Sequence, residues 1–218
     1  MPHGPSDYDA GPFLPSGGGL PALREAAAGC RGCPLHQDAT RTVFGSGSTR
    51  ARVMLVGEQP GDQEDRQGKP FVGPAGKLLD RALEEAGIDP AHAYVTNAVK
   101  HFKFEQAARG KRRIHKPPSL REISACRPWL AAELELVDPE VVVALGASAG
   151  KSLLGSSFRV TSQRGTVLPL PPLAGGPSGE SLLVATIHPS AVLRGGDADR
   201  AARYAGLVAD LKVAGELL

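Results

Sequence analysis

Four short apolar runs, residues 53–57, 93–97, 141–145 and 182–187, most narrow the folds open to this chain. Each has the length of a strand, and each gives way to glycine or polar residues. They are apolar at nearly every position rather than every second one, which suits strands covered on both faces, as in a parallel sheet. Between them lie stretches with helical spacing. Residues 75–86 (AGKLLDRALEEA) keep an apolar face and stop at Gly87, a helix-ending residue. Residues 119–137 open at Ser119 with Glu122 three positions on, a reciprocal capping pattern. A short helix through Leu154 follows the third run, and another over about 199–217 closes the chain. Strand and helix in alternation predict a three-layer α/β/α sandwich with a mainly parallel central sheet. The Gly- and Pro-rich residues 1–19 predict a flexible tail, leaving one domain over 20–218, and residues 169–179 predict a surface loop.

Composition sets the remaining bounds. With 41% hydrophobic and 22% charged residues in 218, the chain reads as a globular protein, and no apolar stretch reaches the length of a membrane span. The N-terminus lacks the basic-then-apolar order of a secretory signal. Three cysteines without an export signal point to the reducing cytoplasm rather than to a disulfide framework. A net charge of +2 neither requires nor excludes a nucleic-acid partner, so the distribution of charge has to decide.

In a parallel sheet, ligands bind at the carboxyl ends of the strands. The residues just past those ends are Gly57-Glu58-Gln59-Pro60-Gly61-Asp62, Asn97, Gly146-Ala147-Ser148 and His188-Pro189-Ser190. Parallel strands would bring Glu58, Asn97 and His188, distant in sequence, to one rim, which is the main reason to expect an active site. The loop GEQPGDQED reads otherwise as a polar turn, and Asn97 as a turn stabiliser. Phe71, among the small residues of KPFVG, is either core or a stacking face for a planar base. Gly146 to Ser152 tempts toward a phosphate loop, but its glycines are one residue too close together, and an ordinary helix start is the better reading.

Two further groups stand out. Cys30 and Cys33, with Cys126 far downstream, lack one ligand of a four-coordinate site that His101 would complete. Ligand type alone favours zinc over an iron–sulfur cluster, with a redox Cys-x-x-Cys a weaker third option. Residues 100–116 carry Lys100, Lys103, Arg109, Lys111, Arg112, Arg113 and Lys116 against the single acid Glu105, with Phe102 and Phe104 interleaved. Such a run is either a solvated loop or a patch for phosphate. Within it His115 is held before Pro117-Pro118, and neighbouring cations favour its neutral, nucleophilic form.

Together these residues resemble the uracil-DNA glycosylase superfamily, and specifically its iron–sulfur branch and the covalent group called family X. GEQPGDQED is similar to the superfamily's first motif and HPSAVLR, residues 188–194, to its second. KRRIH, residues 111–115, is similar to the loop that marks the covalent group. The resemblance implies a 4Fe-4S cluster on Cys30, Cys33, His101 and Cys126, in place of zinc. It implies that Phe71 stacks on an extruded uracil, that Asn97 reads its edge, and that Gly57, Gln59 and Asp62 complete the pocket. His188 would donate toward O2 of the departing base, Arg194 would hold the DNA, and Lys111, Arg112 and Arg113 would meet phosphates. After bond cleavage His115 would capture the sugar, with Glu58 orienting it or taking its proton. The expected partner is uracil-containing DNA, single-stranded, acted on by a monomer. The competing expectations are a turnover glycosylase that releases abasic DNA, and a noncatalytic metal-cluster protein that binds nucleic acid.

Overall fold

The structure, a computed structural model, describes residues 8–108, 110, 112–173, 181–194 and 196–218. Its strands are β1 (Ser46–Gly47), β2 (Val53–Gly57), β3 (Ala93–Asn97), β4 (Phe104–Gln106), β5 (Arg113–His115), β6 (Val141–Leu145), β7 (Val167–Pro169) and β8 (Leu182–Thr186). The α-helices are α1 (Gly19–Ala27), α2 (Asp62–Gln67), α3 (Pro74–Glu85), α4 (Leu120–Val137), α5 (Ala147–Leu154), α6 (Val160–Gln163), α7 (Pro189–Val192) and α8 (Asp197–Gly215). All four expected strands and the three long expected helices are present, their ends displaced by two residues at most. Ser119 caps α4 as its sequence pattern predicts, accepting from the Glu122 amide while Glu122 accepts from the Ser119 amide.

The strands order as β1-β3-β2-β6-β8-β7, and the inner four are parallel. Because side chains alternate along a strand, each one feeds two cores. Met54, Val56, Tyr94, Val142 and Ala144 face a layer built from α1, α4 and α5 around the fully buried Trp129. Val53, Leu55, Val141, Val143 and Val184 face α3 and α8. This is the three-layer sandwich. Among the described residues no helix is long and apolar enough to cross a membrane.

The short edge strands escaped the sequence reading. β1 and β7 pair antiparallel on the two flanks, and β7 ends at Pro169, the first residue of the expected 169–179 loop, of which residues 174–179 lie outside the described set. At the N-terminus Ala10 is buried, and its amide donates to the Ala125 carbonyl at 2.9 Å. β2 connects outward to β3 on one side, and β6 to β8 on the other. The topology therefore reverses between β2 and β6, and that reversal opens a crevice at their carboxyl ends.

Candidate active site

A cleft of about 570 Å³ occupies this crevice, and Glu58, Phe71, Asn97, His115, His188 and Arg194 are among its lining residues. Glu58 follows β2, Asn97 ends β3 and His188 follows β8, so the convergence expected from strand ends is realised. Asn97 is buried, and its side-chain amide has no protein partner among the described residues, which leaves both polar ends available to a ligand.

Phe71 is held in the cleft by backbone. Its φ is +55°, a left-handed conformation that costs a bulky residue on the order of 1–3 kcal/mol. Two devices enforce it. A Cβ on Gly76 would run into the Phe71 carbonyl, so only glycine lets α3 pack against it. Glu64 accepts from the Gly73 amide at 2.8 Å and the Gly61 amide at 3.1 Å, tying the Phe71 loop to the start of α2. The sequence reading missed Glu64, although its position three residues after Gly61 is a capping signal. The Phe71 ring lies 6.4 Å from that of His188, with 25° between their planes.

His188 caps α7. Its Nδ1 accepts from the Ser190 amide at 3.2 Å and lies 2.9 Å from Ser190 Oγ, which places the neutral ring's proton on Nε2. Burial, with help from His115 and Arg194, lowers its pKa to about 4. At neutral pH His188 is thus an uncharged donor facing the cleft.

His115 ends β5, on a hairpin with β4 in which Phe104 pairs with His115. Its side chain is 46% exposed at the cleft mouth, and Nε2 lies 3.5 Å from Glu58 Oε1 and 2.9 Å from Gln59 Nε2. Burial of the ring lowers its pKa, against an upward pull from Glu58 and with a smaller lowering from Arg194, so the neutral imidazole is favoured. Gln59 turns out to be a clasp as much as a wall. It donates to the carbonyls of Lys103 (3.2 Å) and Lys116 (3.0 Å) and accepts from the Lys103 amide (3.2 Å), closing the base of the hairpin.

Two expected contact residues are engaged in ion pairs instead. Asp62 does not line the cleft; it pairs with Arg66 at 2.8 Å and with Arg113. Arg113 is only 9% exposed, pairs also with Asp65 at 2.6 Å, and lies over the rings of Phe102 and Phe104 at 5.2 and 4.9 Å. It anchors the hairpin to α2 rather than offering charge to solvent. Arg112 is exposed, Lys111 lies outside the described residues, and Arg194 is exposed at the rim. The carbonyl of Arg194 accepts from Arg203 at 2.6 Å, which fixes that loop to α8.

The expected cluster does not form. Among the described residues no group of three or more His, Cys, Asp or Glu side chains is placed to hold a metal ion. The sulfurs are hydrogen-bond acceptors instead, Cys30 from the Trp129 indole and Cys126 from the Lys100 amide, both at 3.3 Å. His101 Nε2 is engaged by Thr42 Oγ1 at 2.9 Å. Burial pushes the free thiols up, Cys33 to about 11 and Cys126 to about 12, so both are protonated in the core as it stands. Cys30, Cys33, His101 and Cys126 therefore do not fit the 4Fe-4S cluster that the resemblance implied; they are packing and hydrogen-bonding residues of the core.

An α/β sandwich whose switch-point cleft joins an aromatic face, a buried amide, a neutral histidine donor and a carboxylate has the parts that recognition of a planar base would use. The family model of the uracil DNA glycosylase superfamily matches residues 44–212, and the chain belongs to that superfamily. It is 37% identical over 173 residues to a type-4 uracil-DNA glycosylase of Thermotoga maritima, covering 79% of this chain and 82% of that one. It is 35% identical over 176 residues to a type-4 uracil-DNA glycosylase of Pyrobaculum aerophilum (80% and 85%). A type-5 uracil-DNA glycosylase of the same organism is 34% identical over 123 residues, half of each chain. The similarity to type-4 enzymes, and the absence among the described residues of a donor group placed to hold a metal ion, overturn the placement in the iron–sulfur, covalent branch; the superfamily itself stands.

Proposed function

We propose that this enzyme excises uracil from DNA and releases an abasic strand. The juxtaposition of Asn97, Phe71 and His188 around one cleft carries the reading. An amide can accept from N3–H of uracil and donate to O4 together, whereas cytosine presents the opposite polarity at both atoms. Phe71 offers the stacking face. As the bond between N1 and the sugar C1′ breaks, its electron pair passes to the base, and His188 Nε2–H donates to O2 where the charge gathers. Water then bonds to C1′ and yields its proton to Glu58. Type-4 relatives support turnover of this kind. Release of free uracil from uracil-containing DNA, but no release from cytosine- or thymine-containing DNA of the same sequence, is the expected result; no release at all would refute the function.

A second reading has one observation in its favour: His115 Nε2 stands 3.5 Å from Glu58 Oε1, where the attacking water would be activated. The Nε2 lone pair would then bond to C1′, and the resulting imidazolium would be compensated by Glu58. A protein band shifted by DNA after denaturation, lost in His115→Ala while uracil release persists, supports capture. Free abasic product with no shifted band supports turnover. We further propose action as a monomer on single-stranded DNA in the cytoplasm, a compartment that suits three free cysteines.

A further inference from the structure

The turn after β6, whose glycines are too close together for a phosphate loop, meets both catalytic side chains of the proposed reaction. Gly146 has φ +91° and accepts no substitute readily, since a Cβ there would stand 3.0 Å from that of His188. Its amide donates to the Thr186 carbonyl at 2.8 Å, joining the ends of β6 and β8. Two residues on, in the first turn of α5, the Ser148 hydroxyl donates to Glu58 Oε2 across the gap to the end of β2. Glu58 Oε1, the other oxygen, is the one that faces His115.

We propose that Ser148 is a positioning residue for the glycosylase reaction, a role that rests on the function proposed above. A glutamate at a strand end has three side-chain torsions, and one carboxylate oxygen must be pinned before the other can be aimed. The Ser148 hydroxyl pins it, and it does so without touching the ligand, since Ser148 does not line the cleft. The carboxylate is an acceptor only, so this hydrogen bond is charge-assisted and stronger than a neutral one. The aimed oxygen then lies where the proton of an attacking water must be taken, or where the charge of an imidazolium formed on His115 is compensated. Gly146 and Ser148 thus set the relative placement of His188 and Glu58 from one turn, and the serine makes the contact that a glycine-rich turn alone lacks.

The test is single-turnover uracil release by the full chain, with wild type, Ser148→Ala and Ser148→Thr compared on the same uracil-containing oligonucleotide. Ser148→Ala should lower the rate of the chemical step about ten-fold or more, while the concentration of DNA giving half-maximal rate and the thermal midpoint stay at their wild-type values. Ser148→Thr, which keeps the hydroxyl, should recover most of the lost rate. A Ser148→Ala protein as fast as wild type refutes the positioning role while leaving the function intact. So does a loss that appears in DNA affinity or thermal midpoint instead of rate, or one that threonine fails to restore. A wild-type protein that releases no uracil refutes the function, and this role with it.

Discussion

Gly57 and Asn97 stand opposite each other in the register of β2 and β3, so close that a Cβ on Gly57 would collide with Asn97 Oδ1 and the Phe71 ring. The bare α-carbon is what allows the Asn97 amide and the Phe71 ring, the proposed reader and stacking face, to share one floor. Gly57→Ala should displace both by a fraction of an ångström to an ångström. Misplacement on that scale costs about 10²-fold in rate, so excision should fall by about that much while far-UV circular dichroism is unchanged.

Asn97→Asp exchanges a donor for charge at the same point. The lost contact with O4 costs about 1–3 kcal/mol, or roughly 5- to 150-fold in kcat/KM for uracil. An undiminished rate in this variant would remove Asn97 from base recognition.

The two neighbouring arginines of the hairpin should separate in their effects. Arg112→Ala should weaken DNA binding and reduce the salt slope of log K by about 0.7–0.9, the release from one phosphate contact. Arg113→Ala leaves the fully buried Asp65 without its guanidinium, a loss of roughly 3 kcal/mol measurable by denaturant unfolding. An Arg113→Ala protein of wild-type stability would show that the clamp is idle.

Beneath the site, Lys100 donates to Glu133, to Thr96 Oγ1 and to the Asn97 carbonyl, the latter two at 2.7 Å; the Thr96 and Tyr94 hydroxyls and the Gly45 amide also donate to the glutamate. Lys100 is 1% exposed, so Lys100→Met strands a buried carboxylate and should destabilise the fold by about 3–5 kcal/mol. Adding Glu133→Gln to it should restore part of that loss. Equal stability of single and double variants would count against the pair.

His188 gives a signed pH dependence. Its folded pKa, about 4, lies below the unfolded value near 6.5, so between those values the unfolded chain binds more protons. Its contribution to stability is complete above about pH 6.5, falls as the pH drops, and is gone below about 4. NMR titration of the imidazole should show an Nε2–H tautomer at pH 7 and a midpoint close to 4. A midpoint near 6.5 would contradict the buried, neutral donor.

The fold was legible because its parallel strands are buried on both faces, and an unbroken apolar run as short as 141–145 suits little besides such a strand. The strand ends then located Glu58, Asn97 and His188. What stayed hidden depends on side-chain reach across space. Nothing in the spacing tells that Arg113 folds back on Asp62 and Asp65 while Arg112 points out, because β5 is three residues long and its alternation is invisible in a basic run. The cysteines misled for the same reason: a Cys-x-x-Cys pair and a distant third thiol look alike in sequence whether they surround an ion or receive hydrogen bonds from Trp129 and Lys100.

The reversal of topology between β2 and β6 has a consequence for how activity is acquired. Glu58, Asn97, His188 and the turn bearing Ser148 hang from four separate strands, each brought beside its neighbour only by a crossover connection. No fragment of the chain contains two adjacent walls of the cleft without the helix that links them. Catalysis is therefore a late observable of folding: on refolding from denaturant, uracil release should return together with the last-protected amides of β8, lagging behind helical signal.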